Sequence, residues 1–188
     1  MSRLLNLDAR WQRLNDPDYA CPCCGRSFGG LIDIGYDAPE DWPHALPEPG
    51  AVIEAGEDRL SSELCRLGDR RFLRAHLALP VRGSEDAVHL APWVEVAPAD
   101  FYAALDRLEA GDAAPTEMAA MLANTLPGPL ADMGAGQLRD VAAEARPEFL
   151  PAPGPAADLV SEGLSFDAVL DLYAEIGEDI RPHLTGRA

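Results

Sequence analysis

From Arg71 to Val81 the chain alternates. Leu73, Ala75, Leu77, Leu79 and Val81 fall on one side of an extended backbone, and Phe72, Arg74, His76 and Ala78 on the other. Successive side chains of a strand point to opposite faces, so a period of two predicts a half-buried strand. Residues 87–96 repeat the pattern. Val88, Leu90, Val94 and Val96 share one face; His89, Ala91, Trp93 and Glu95 share the other. Arg82-Gly83-Ser84-Glu85-Asp86 between the two runs is short, polar and contains glycine, which predicts an antiparallel hairpin over 71–96. Pro92 cannot donate to a ladder and marks an edge or a bulge in the second strand. A lone hairpin is marginal in water, so more strands or helices must cover its apolar face.

Around this hairpin the signals are mostly helical. Leu4, Leu7, Trp11 and Leu14 predict a short amphipathic helix over residues 3–14, ended by Asn15-Asp16-Pro17-Asp18. Residues 28–58 read mostly as loop, and Leu60 to Leu67 as a strand whose Leu60, Leu64 and Leu67 point inward only if it bends. A helix starts at Ala97-Pro98 and stops at Gly111, and a weaker one covers Thr116 to Ala123. Residues 136–151 fit a further strand pair, although 138–145 fit a helix equally well by propensity. Pro151 to Pro155 reads as a turn or linker. Ser165 caps a helix whose Phe166, Val169, Leu170, Tyr173 and Ile176 keep helical spacing. The expected organisation is an N-terminal helix in residues 1–18, a single α+β domain over 19–178 and a frayed tail over 179–188. In that domain a small antiparallel sheet is centred on the hairpin, helices pack on one face, and a cysteine knuckle lies at 21–25.

The 188 residues are 47% hydrophobic, enough for a core. All 15 basic residues are arginine, and the net charge is −17. Binding to nucleic acid requires cationic surface, and no arginine run exceeds Arg70-Arg71, so nucleic acid and anionic membranes are disfavoured as partners. The N-terminus lacks a signal-peptide core, and no apolar run reaches the roughly 20 residues of a membrane span. The expected compartment is the cytoplasm, where thiols stay reduced.

Cys21-Pro22-Cys23-Cys24-Gly25 holds the candidate chemistry. Cys21 and Cys24 form a C-x-x-C pair, and the glycine eases the turn that lets both thiolates reach one zinc ion. Zinc needs four ligands. Cys65 is a plausible third, and the fourth is Cys23 or one of His44, His76, His89 and His183. The alternative is a knuckle without metal, with Cys65 packed as a small apolar residue. The same pair could serve as a redox dithiol, which calls for a helix starting at or just after Cys21. An enzyme is a further alternative if Cys65, Arg74 and His76 converge in one cleft. Arg74 and His76 otherwise read as a solvated face, and Trp93 as packing against a helix. No G-x-S-x-G, phosphate-binding glycine loop or H-E-x-x-H is present.

Several motifs recur in a fixed order. Tyr19 to Gly25 opens the series. Leu60-Ser-Ser-Glu-Leu-Cys65, Arg71-Phe-Leu-Arg74, Leu79-Pro-Val81 and Trp93-Val-Glu-Val96 follow, and then Leu122-Ala-Asn-Thr-Leu-Pro127, Arg146-Pro-Glu148 and Glu162-Gly-Leu-Ser165. Together they resemble the bacterial family known as domain of unknown function 2199, over residues 19–178. The family pattern has glycine at the positions of Ala75 and Pro92. The resemblance implies a small cytosolic protein with a cysteine-bearing N-terminal knuckle and transfers no catalytic residue. The functional expectation is therefore a non-enzymatic, acidic interaction module, possible zinc included, that binds a basic protein. An immunity protein against a basic toxin has this charge and size.

Overall fold

The computed structural model describes residues 5–46, 48, 50–110, 117–139 and 146–185. A single 3-10 turn (Leu5–Leu7) leads into α1 (Ala9–Asn15). The helix starts later than the leucine spacing predicts because Asp8 caps it, its carboxylate accepting the Arg10 backbone N–H at 2.8 Å. Short strands β1 (Ile34–Gly35), β2 (Ile53–Ala55) and β3 (Asp58–Leu60) occupy the stretch read as loop. Then come β4 (Leu64–Leu67), β5 (Arg70–Arg74), β6 (Leu77–Pro80), β7 (Ala87–Ala91) and β8 (Trp93–Val96). The chain continues through α2 (Pro98–Ala110), β9 (Glu117–Leu122), β10 (Ala135–Arg139) and β11 (Glu148–Pro151). It ends in α3 (Pro155–Glu162), α4 (Phe166–Glu175) and α5 (Arg181–Leu184).

The fold is α+β, and the 71–96 hairpin is its centre. Its register is continuous: Arg71 faces Val96, Arg74 faces Trp93, Leu77 faces Leu90 and Pro80 faces Ala87. The hairpin does not stay in one sheet. At Ala75 and Pro92 both strands turn a corner, held by the Ala75 N–H donating to the Pro92 carbonyl at 2.8 Å. β5 and β8 lie in an eight-stranded antiparallel sheet, ordered β11-β10-β9-β8-β5-β4-β3-β2. β6 and β7 form a three-stranded sheet with β1, which runs parallel to β7. Pro92, read as an edge or bulge, thus stands where the second strand changes sheets.

Both faces of the large sheet are covered. Leu73, Val94 and Val96 meet Phe101 of α2 and the main core, to which α1, α4 and α5 also contribute. Phe72 and Trp93, on the other face, pack with Trp42, Leu60 and Cys65 in a second, smaller core. Among the described residues no helix covers that face; partly buried Tyr36, Ala38 and Ile53 close it. Trp93 is fully buried and donates its indole N–H to the Tyr36 carbonyl at 2.9 Å. Helices therefore pack on one face, as expected, and Trp93 packs against irregular chain rather than against a helix.

Two further readings need correction at the level of elements, and one ambiguous segment is resolved. Residues 117–122, read as helix, are strand β9, bonded to β8 through Val94–Leu122 and Val96–Ala120 and to β10 on its other side. Residue 116 and Gly111, the expected helix stop, lie outside the described residues. The 136–151 segment forms the strand pair β10–β11; positions 140–145 of its helical alternative also lie outside. The segment from Arg181, read as a frayed tail, forms α5, whose Leu184 is fully buried in the main core. Ser165 caps α4 as predicted, its hydroxyl accepting the Ala168 N–H at 3.2 Å.

Candidate metal centre

The cysteine run folds into a tight knuckle. The Ala20–Ser27 bridge closes its base, and the Cys21 N–H donates to the Arg26 carbonyl at 2.8 Å. The Gly25 N–H returns to the Cys21 carbonyl at 2.7 Å, with Gly25 at φ +75°, a conformation that a side chain would strain. This turn gathers all three sulfurs on one side. Cys21 is buried, and Cys23 and Cys24 are exposed.

The fourth group comes from the far end of the chain. α5 is fixed against α1 and the knuckle by Arg13, which donates to the Leu184 carbonyl at 2.6 Å, and by the Tyr19 hydroxyl, which donates to the His183 carbonyl at 2.7 Å. An Arg26–Glu178 ion pair at 2.8 Å ties the knuckle to the approach to α5. His183 Nδ1 then lies 3.5 Å from Cys21 Sγ, 4.0 Å from Cys23 Sγ and 3.4 Å from Cys24 Sγ. Cys21 Sγ and Cys23 Sγ are 3.0 Å apart. All four ligand atoms lie within 4.8 Å of one another, so Cys21, Cys23, Cys24 and His183 could hold a metal ion. The hydrogen bond from Cys23, helped by His183, lowers the Cys21 thiol to about 6. Its negative charge raises Cys23 to about 11 through the same bond.

The structure brings together Cys21 and Cys24 and does not bring Cys65 to them. Cys65 is 1% exposed among the apolar side chains of the second core, and burial pushes its thiol up to about 12. Of the four histidines, only His183 reaches the thiols among the described residues. His44 is bonded to the Asp58 carboxylate at 2.8 Å, and His76 Nε2 to His89 Nδ1 at 2.8 Å. His183 carries no local sequence signal, being separated from Cys24 by 159 positions. Cys23 was visible as one member of the Cys-Pro-Cys-Cys-Gly run.

The other chemical readings gain little from this geometry. Cys21 to Cys24 form a turn, and no helix starts there. The cavity of about 270 Å³ bordered by Cys65 includes neither Arg74 nor His76. Arg74 is half-buried and lies over the Trp93 ring at 5.9 Å, so it packs on the second core instead of standing free in solvent. No helix among the described residues is long and apolar enough to cross a membrane.

Comparison with protein families matches residues 20–152 to a model described as an uncharacterized protein conserved in bacteria (DUF2199). The matched span contains the three thiols of the knuckle and stops short of His183. Neither the curated proteins nor the solved structures yield a match.

Proposed function

Since the chain belongs to the uncharacterised bacterial family DUF2199, its function has to be argued from its own residues, and we propose that it is a zinc-stabilised, non-enzymatic interaction module. The observation that carries this reading is the meeting of three thiols and one imidazole within 4.8 Å. Thiolate and imidazole are the donors zinc prefers. Zn–S bonds of about 2.3 Å and Zn–N bonds of about 2.0–2.1 Å set tetrahedral edges of about 3.8 Å between sulfurs and about 3.6 Å between sulfur and nitrogen. The three sulfur–nitrogen separations, 3.4 to 4.0 Å, already bracket that edge. The 3.0 Å between Cys21 and Cys23 opens by about 0.8 Å on binding. Four protein ligands leave no open coordination position, which favours a folding role over a catalytic one. A reducing cytoplasm keeps the thiols available. The net charge of −17 favours a basic protein as partner.

Elemental mass spectrometry on protein purified without a histidine tag tests the centre. About one zinc per chain is expected, lost in both Cys24→Ser and His183→Ala and kept in Cys65→Ser. Metal loss should lower the thermal midpoint, since binding energy of a structural zinc is folding energy. Metal-free native protein, or zinc retained by His183→Ala, would overturn the assignment.

A further inference from the structure

Strand pairing gathers arginines that the sequence scatters. Arg59 on β3 is directly opposite Arg66 on β4, and Arg66 is directly opposite Arg71 on β5. Three arginine side chains therefore start from a row across the sheet, on the face that carries Leu64 and Leu73. Like charges placed directly opposite one another destabilise a sheet. The row is more unusual in a chain with 32 acidic residues against 15 basic ones.

The row is oriented without being neutralised. Arg10, Arg26, Arg70, Arg139, Arg146 and Arg181 each lie within 2.8 Å of a carboxylate. Arg66 instead donates through Nε to the Glu57 carbonyl at 2.7 Å. Arg71 donates through Nε to the Tyr102 hydroxyl at 3.0 Å, and through Nη1 to the Gly68 and Arg70 carbonyls at 2.8 Å. Neither has a carboxylate within salt-bridge distance among the described residues, and Arg59 has only a loose 3.6 Å contact with exposed Glu54. Asp58 is near enough to feel Arg66, but its hydrogen bonds go to His44 and to the Gly68 N–H.

Beside this row lies the cavity of about 270 Å³ between β4 and α2. Leu64, Phe101, Tyr102 and Leu105 wall it, and Arg59 and Arg66 stand among its lining residues. The Cys65 thiol faces the second core on the other side of the sheet, so the cavity offers no nucleophile from that residue. An apolar space with a few convergent polar groups is the usual form of a small-ligand site. Its size is just under the roughly 300 Å³ lower bound for such pockets, which suits a short chain rather than a long lipid.

We propose that this cavity binds a small amphipathic carboxylate, its apolar tail between Leu64, Phe101 and Leu105 and its head on Arg59 and Arg66. A guanidinium presents paired N–H groups in the geometry a carboxylate accepts. The bound anion relieves the repulsion along the row. The surrounding negative charge repels anions elsewhere on the surface, so binding is confined to this place.

Sodium octanoate and 1-octanol, titrated into the full-length protein and followed by NMR, test the site. Octanoate should shift the Tyr102 and Leu105 signals in a saturable way and bind about tenfold more tightly than the uncharged alcohol. Arg66→Gln should reduce octanoate affinity about tenfold, with no loss of thermal stability because it interrupts the like-charged row. Leu105→Trp, which fills the space, should abolish the shifts. Octanoate that leaves Tyr102 and Leu105 unmoved, equal affinity for acid and alcohol, or wild-type affinity in Arg66→Gln would each overturn the proposal.

Discussion

Asn124 is a buried polar residue where β8 meets the irregular segment that closes the second core. Its Oδ1 accepts the Trp93 backbone N–H at 2.7 Å, and its Nδ2 donates to the Ala38 carbonyl at 2.9 Å. One side chain thus joins the corner of the hairpin to the irregular segment above Trp93. Asn124→Ala leaves a buried donor and a half-buried acceptor without this partner, and should cost about 1–3 kcal/mol in a urea melt. Asn124 stands in the Leu-Ala-Asn-Thr-Leu-Pro motif, yet no local rule in the sequence assigns it a partner. The metal ligands divide in the same way. Cys21 and Cys24 are legible from spacing, because a turn of fixed length brings them together. His183 is one of several candidates for the fourth position in the sequence and is singled out only once α5 is seen docked on α1. Cys65 shares the chemistry of a ligand but not the place, since alternation along β4 points it into the second core.

Among the elements, the hairpin was legible because its alternation persists over both strands. Its corner was not, because a proline at a strand interruption is compatible with an edge, a bulge or a change of sheet. β9 shows tertiary context overriding propensity: Glu-Met-Ala-Ala-Met-Leu is a good helix sequence, but the open edge of β8 recruits it as a strand. The junction of α3 and α4 depends on Gly163 at φ +77°. A Cβ there would meet the Pro80 carbonyl oxygen at 2.5 Å. That carbonyl also accepts the Leu164 N–H at 2.8 Å, which ties the junction to the end of β6. Gly163→Ala should therefore destabilise the protein by roughly 1–3 kcal/mol, measurable as a lowered thermal midpoint.

For the whole molecule, charge was legible as a sum and not as a distribution. The count of −17 implies a surface poor in cations, but it cannot foresee that β3, β4 and β5 align Arg59, Arg66 and Arg71. The same sum supports the proposed basic partner. In a capture experiment with metal-loaded protein, retained proteins should be strongly basic and released as sodium chloride rises from about 0.05 to about 0.5 M, because screening shortens the reach of surface charge. Neutral or acidic partners that withstand the salt would remove charge from the recognition argument.

The knuckle and His183 have a bearing on time as well as on space. Cys21 and His183 are 162 positions apart. A nascent chain leaving the ribosome carries its three thiols long before the imidazole exists, so a four-ligand zinc centre closes only after position 183 has been synthesised. Closing so large a loop is entropically late in folding as well. An interaction missing from the transition state does little for the folding rate and slows unfolding instead. Under the zinc reading the ion is then a latch that sets how long the finished molecule lasts, rather than a template that helps it to form.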